Sequence, residues 1–132
     1  MPRWMSVAVT GASSGLGRAL AIACAAPGVV LHLTGRDAAR LGETAAACRA
    51  KGAEARGTAL DVTDAAASAA WIAGCGRLDL VIANAGIGGG PGEGGEPAEQ
   101  VRRLFAVNLD GALNTALPAI AAMRAQRPDA EG

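Results

Sequence analysis

The residues of this 132-residue chain best suited to chemistry begin with Thr10-Gly11-Ala12-Ser13-Ser14-Gly15-Leu16-Gly17. The apolar run Met5 to Val9 precedes them and reads as a buried parallel strand; an alanine-rich helical stretch, Leu16 to Ala26, follows. Strand, glycine-rich turn and helix together aim backbone N–H groups and a helix N-terminus at a phosphate. Gly11 lets the chain turn sharply out of the strand. Gly15 lets the backbone approach a pyrophosphate, and Gly17 lets helix and strand pack closely. Ser13 and Ser14 add hydroxyl donors at the start of the helix. The spacing is G-x-x-x-G-x-G, not the commoner G-x-G-x-x-G. The plain alternative is a tight strand-to-helix turn that binds nothing.

Further candidates stand where later strands should end. Arg36 follows Gly35 at the end of the second apolar run. An acidic side chain here would hold adenosine ribose hydroxyls, but Gly35 takes that place and a guanidinium stands beside it. Arg suits a 2′-phosphate, with Arg40 one helical turn on to assist. This favours NADP(H) over NAD(H). Asp37 is the competing ribose ligand, and a solvated turn arginine is the plain alternative. Asp61-Val62 offers a carboxylate and a backbone N–H for an adenine edge, or a carboxylate that merely caps a turn. Asn84-Ala85-Gly86 is a small-residue turn that lets the backbone approach the adenine-side ribose, and Asn84 can pin neighbouring loops by hydrogen bonds. An ordinary turn is the alternative there.

Alternating strands and helices must position these residues. Pro27-Gly28 stops the first helix. Val29 to Thr34 reads as the second strand, with His32 as a packed strand side chain and not a ligand. Asp37 reads as the N-cap of a helix carrying Leu41, Thr44, Ala45 and Cys48 on one face and ending at Gly52. Ala53 to Leu60 is the third strand. Asp64 caps a short helix to about Ala73, ended by Gly74, and Leu78 to Ala83 is a buried fourth strand. Gly86 to Gly95 is too glycine-dense for regular structure and is expected to be mobile. From Pro97 to about Arg124 a long helical pattern presents a broad apolar face, with a bend or split expected at Gly111 and Pro118. The pattern predicts one α/β domain over residues 1–132: a Rossmann-type, doubly wound parallel sheet of order 3-2-1-4, with a tail over 126–132. A ligand then lies across the carboxyl ends of the strands.

Composition narrows the function classes. Net charge is zero, which suggests no nucleic-acid or acidic-membrane partner. Cys24, Cys48 and Cys75 are far apart in apolar contexts and His32 is the one histidine, so no metal-ligand pattern exists. Buried free thiols fit a reducing cytoplasm. Met1 to Trp4 leads into a strand and does not read as a secretory signal, and no apolar run is expected to reach membrane-spanning length.

Thr10-Gly11-x-x-x-Gly15-x-Gly17, Asp61-Val62, Asn84-Ala85-Gly86 and Val107-Asn108, in this order and spacing, resemble the short-chain dehydrogenase/reductase family. Leu78-Asp79-Leu80-Val81 looks like the family's lead into strand four, and the likeness runs from Met5 to about Arg124. Ala83 departs from it, since many members carry a second Asn there. The resemblance implies hydride transfer between NADP(H) and a small-molecule carbonyl or alcohol. It implies cofactor contacts from Gly11, Ser13, Ser14, Gly15, Leu16, Gly17, Arg36, Arg40, Asp61, Val62, Asn84, Ala85 and Gly86, and a catalytic role for Asn108.

In the family a Tyr acts as general acid or base, a following Lys lowers its pKa and binds the nicotinamide ribose, and a Ser polarises the substrate carbonyl. At Asn108 the family's helix is distorted, and its backbone holds a water that links the Lys to proton exchange. This sequence has no Tyr, and Lys51 is its one lysine. The chain therefore reads as the cofactor-binding half of a reductase, a fragment or truncated product whose sheet is incomplete relative to the family. The alternatives are a non-catalytic dinucleotide-binding module and an inactive remnant. The resemblance also implies a homo-oligomer formed through the long C-terminal helix.

Overall fold

The computed structural model describes residues 3–90 and 93–127. In chain order the elements are β1 (Ser6–Thr10), α1 (Gly15–Cys24), β2 (Val30–Gly35), α2 (Ala38–Ala50), β3 (Glu54–Ala59), α3 (Ala65–Gly74) and β4 (Leu80–Ile82). Then α4 (Ala98–Phe105), a π-helical turn (Ala106–Asp110) and α5 (Gly111–Ala125) follow one another without a break.

The strands form one parallel sheet of order β3-β2-β1-β4, the expected Rossmann-type arrangement. Period-two alternation splits its side chains. Val7, Val9, Leu31 and Leu33 pack with Ala21 of α1 and with Leu41, Ala45 and Cys48 of α2. Ala8 belongs to the opposite face, with Ile72 and Cys75 from the α3 end, Leu78, and Ala119 of α5. Each fully buried Leu, Ile or Val contributes about 1.5–3 kcal/mol, so the core is mainly aliphatic, with the half-buried Trp71 packed against the second cluster.

Local signals place the helices. Asp37 accepts from the Arg40 amide at 3.0 Å and Asp64 from the Ala67 amide at 2.9 Å, each as the expected N-cap. The helix α1 ends at Cys24, because Pro27 disfavours helical backbone at the residue before it. The edge strands are less buried than their composition suggests. In β3 only Ala55 is buried, and β4 is three half-buried residues long. Just before β4, one side-chain amide takes up the backbone groups of Leu78. Gln126 Nε2 donates to the Leu78 carbonyl at 2.9 Å, and the Leu78 amide donates to Gln126 Oε1 at 2.6 Å.

The long C-terminal helix differs from expectation. Its irregularity is the π-helical turn at Ala106–Asp110, which contains Asn108, where the family resemblance implies a distorted helix; it ends immediately before Gly111, and Pro118 lies within regular α5. A proline here removes one helical hydrogen bond. The loss is offset because Gly111, Thr115 and Ala119 form the buried face of α5. The run Ala98–Ala125 is 28 residues long and, by length and composition alone, apolar enough to cross a membrane. That corrects the expectation that no run reaches such length; here Ala119 packs into the domain core.

His32 is buried as a strand side chain. Gly86 to Gly90 has no regular structure; residues 91–92 of that loop and 128–132 of the expected tail lie outside the described residues.

Candidate cofactor-binding site

The loop after β1 is shaped by its glycines. Gly11 (φ 66°) and Gly15 (φ 56°) adopt left-handed backbone that L side chains rarely take. A Cβ on Gly11 would lie 2.8 Å from the Ala85 backbone, while one on Gly15 would meet only open space. Gly17 is buried against the Gly11 carbonyl and the Asn84 side chain, with no room for a Cβ. The loop is also tied to the sheet, because the Ala12 amide donates to the Thr34 carbonyl at 2.9 Å. Ser14 occupies the N-cap position of α1 without making a side-chain cap. Its hydroxyl and the first N–H groups of α1 are therefore not consumed by capping.

A cavity of about 540 Å³ opens above the carboxyl ends of the strands, within the size range of small-molecule sites. From the first loop it is lined by Gly11, Ser13, Ser14, Gly15 and Leu16; from the end of β2 by Thr34, Gly35, Arg36, Asp37 and Arg40. The ends of β3 and β4 add Leu60, Asp61 and Val62, then Asn84, Ala85, Gly86 and Ile87. Two of the residues expected at the site, Gly17 and Asn108, do not line it. Gly17 lies beneath the loop, and Val107, beside Asn108, reaches the cavity instead.

Hydrogen bonds from side-chain amides hold the cavity walls. Asn84 Nδ2 donates to the Thr10 carbonyl at 3.3 Å and the Gly11 carbonyl at 3.5 Å. The Ala85 amide donates to Thr10 Oγ1 at 3.0 Å, joining the β4 turn to the glycine loop. Asn108 grips the Ile87 backbone at both groups: Nδ2 donates to its carbonyl at 2.9 Å, and its amide donates to Asn108 Oδ1 at 2.8 Å. The π-helical turn thus fixes the segment that follows β4.

Charge is concentrated at the β2 and β3 ends. Asp37 Oδ1 caps α2 and Oδ2 lies 4.0 Å from Arg40 Nε, so this carboxylate is already engaged within its own helix. Arg36 and Arg40 are exposed at the cavity rim. Asp61 Oδ1 accepts from the Thr63 amide at 3.0 Å and from Thr63 Oγ1 at 2.8 Å. These two bonds, the backbone one foremost, hold its carboxyl below the ordinary value of 3.8. Arg36 and Arg103 add to that at longer range, while burial opposes it. Asp61 is thus a turn-forming residue that also lines the cavity.

Leu60, Ile87 and Val107 line the cavity although sequence reasoning did not select them. Each adjoins a selected residue, and that adjacency was the available signal. Gly35 has a packing reason as well: a Cβ there would lie 2.9 Å from Ser13 Oγ. Among the described residues no group of three or more His, Cys, Asp or Glu side chains is placed to hold a metal ion.

Comparison with known proteins agrees with this geometry. The chain is 43% identical over 112 residues to the protein named "Probable oxidoreductase EphD" of Mycobacterium tuberculosis, covering 82% of this chain and 19% of that protein. A short-chain dehydrogenase/reductase of Burkholderia phymatum, solved in complex with NAD, superposes with a TM-score of 0.82 at 32% identity, covering 89% of this chain and 43% of that one. An alcohol dehydrogenase of Thermococcus sibiricus, solved with 5-hydroxy-NADP, gives 0.82 at 30% identity, covering 90% and 53% respectively. The chain therefore spans a fifth of the first relative and about half of these solved chains. The family model for short chain dehydrogenases matches residues 5–130, and on that match the chain belongs to the short-chain dehydrogenase/reductase family.

Proposed function

We propose that this chain is the cofactor-binding half of an oxidoreductase that transfers hydride between NADP(H) and a carbonyl or alcohol substrate. The observation that carries this reading is the convergence of the glycine loop, Arg36 with Arg40, and Asp61-Val62 on one cavity. The pyrophosphate takes the N–H groups at the start of α1, where open space at the Gly15 Cβ position leaves a cradle. Arg36, assisted by Arg40, takes the 2′-phosphate by charge-assisted hydrogen bonds. Asp61 and Val62 face the adenine, and Ala85 and Gly86 face its ribose. The bound nicotinamide supplies or accepts the hydride. Asn108 serves that chemistry by fixing the Ile87 backbone.

One observation favours a second reading, dinucleotide binding without turnover. The lone lysine is occupied elsewhere: Lys51 Nζ donates to the Ile22 carbonyl at 2.7 Å, at the end of α1. The same proposal includes a cytoplasmic location and a homo-oligomer. Cys24, Cys48 and Cys75 are free thiols, and burial pushes Cys75 up to about 11. Phe105, Leu109, Leu113 and Leu117 are exposed apolar residues at four-residue spacing along α4, the π-helical turn and α5.

Parallel titrations of the chain with NADPH and NADH test the reading, with reduction of a carbonyl compound followed by loss of the reduced-cofactor absorbance. Saturable binding, tighter for NADPH, is expected. Binding with no oxidation of cofactor selects the second reading, and no binding of either cofactor rejects both.

A further inference from the structure

Asparagine is a poor residue for a helix interior, yet Asn114 stands in α5 one turn before Pro118. Its side chain is not spent on its own helix. Nδ2 donates at 2.8 Å to the carbonyl of Val62, fifty-two residues away in sequence. One turn earlier, Gly111 faces the same residue, and a Cβ on Gly111 would lie 2.6 Å from Val62 Cγ2. Val62 is thus seated in a notch that exists because residue 111 is glycine, and it is only 6% exposed.

This attachment acts where the sheet has stopped. The strand β3 ends at Ala59, and one further bond, from the Leu60 amide to the Gly35 carbonyl at 3.0 Å, continues the ladder. Beyond it, Asp61-Val62 has no strand neighbour. Thr63 shapes the turn from within through Asp61 Oδ1. From outside, α5 holds it through Asn114 and Gly111.

We propose that Asn114 is a positioning residue for the adenine end of the cavity, fixing the Asp61–Val62 peptide through the Val62 carbonyl. Asn114 does not line the cavity, so it acts through Val62. The inference rests on the cofactor-site reading above.

The test measures adenosine 5′-phosphate and nicotinamide mononucleotide binding separately, on the wild-type chain, Asn114→Asp and Gly111→Ala. Asn114→Asp keeps the side-chain size but sets a carboxylate against the Val62 carbonyl. Gly111→Ala displaces Val62 from the other side. Each variant is expected to bind adenosine 5′-phosphate about tenfold more weakly, the size expected for loss of one hydrogen bond, with nicotinamide mononucleotide unaffected. Unchanged adenosine 5′-phosphate affinity in Asn114→Asp overturns the proposal while the site reading stands. Equal losses for both fragments, or failure of both variants to fold, also overturn it, because the contact is then merely structural. If the wild-type chain binds neither fragment, the site reading fails and this proposal fails with it.

Discussion

Gly17 is packed against the carbonyl oxygen of Gly11, with no space for a Cβ between them. The contact joins the first turn of α1 to the loop that leads into it, and Asn84 closes the third side. We predict that Gly17→Ala destabilises the fold by about 1–3 kcal/mol, the usual cost of overpacking where the obstacle is backbone. Chemical denaturation measures it. A midpoint equal to wild type would mean that the loop yields easily and does not hold α1 against β1.

Gly15 makes the contrasting case two residues earlier. Its φ is 56°, but a Cβ would meet nothing. The strain of a side chain there costs about 1–2 kcal/mol, and the chain is expected to remain folded. The added group would project where the pyrophosphate is proposed to lie. Gly15→Val should therefore abolish dinucleotide binding while melting only modestly earlier. Unchanged affinity by titration would remove the loop from the cofactor site.

These two glycines also mark what sequence can convey. The run Met5–Val9, the glycine loop and the N-caps Asp37 and Asp64 are local signals, each set by residues within a few positions of one another. They were legible, and four strand–helix alternations with right-handed crossovers then fixed the sheet order. Burial at the edges was not. Leu78 to Ala83 reads as an interior strand, but β4 has a neighbour on only one side and shortens to Leu80–Ile82. The π-helical turn falls at Asn108, where the family resemblance implies a distorted helix, whereas the seating of Val62 against Gly111 and the Gly35–Ser13 contact depend on which distant elements meet. Pro118 was misjudged for the same reason, since tertiary packing on the Thr115 and Ala119 face outweighs one lost helical bond. At the site, the cluster of strand-end residues was legible from topology. Leu60, Ile87 and Val107 were not, because an aliphatic side chain carries no chemical signal of lining a cavity.

In the proposed site Arg36 is the residue expected to discriminate between the two dinucleotides. It stands exposed at the cavity rim, and the competing Asp37 carboxylate is engaged in capping α2. Arg36→Ala should weaken NADPH by about tenfold or more, the loss of a charge-assisted pair, and leave NADH nearly unchanged. Fluorescence titration with each reduced cofactor measures both. Equal losses would show that Arg36 does not read the 2′-phosphate.

His32 gives the fold a pH dependence that can be isolated, because the chain has no other histidine. It lies between Ala8 of β1 and Arg56 of β3 in the sheet register and is buried. Burial is the main cause that holds its pKa below the ordinary 6.5; the Arg56 charge adds to it and Glu54 opposes it. The folded state therefore resists the proton that the unfolded chain accepts. Stability from a neutral His32 is fully present above the unfolded value. It is lost as pH falls from about 6.5 toward the lower folded pKa, because the unfolded state then binds more protons. Urea denaturation at about pH 7.5 and about pH 5.5 should show a drop in wild type, in a window where most carboxylates have not begun to titrate. His32→Gln should flatten that slope whatever its effect on absolute stability. An identical slope in the variant would mean that the proton is taken up elsewhere and that His32 titrates alike in both states.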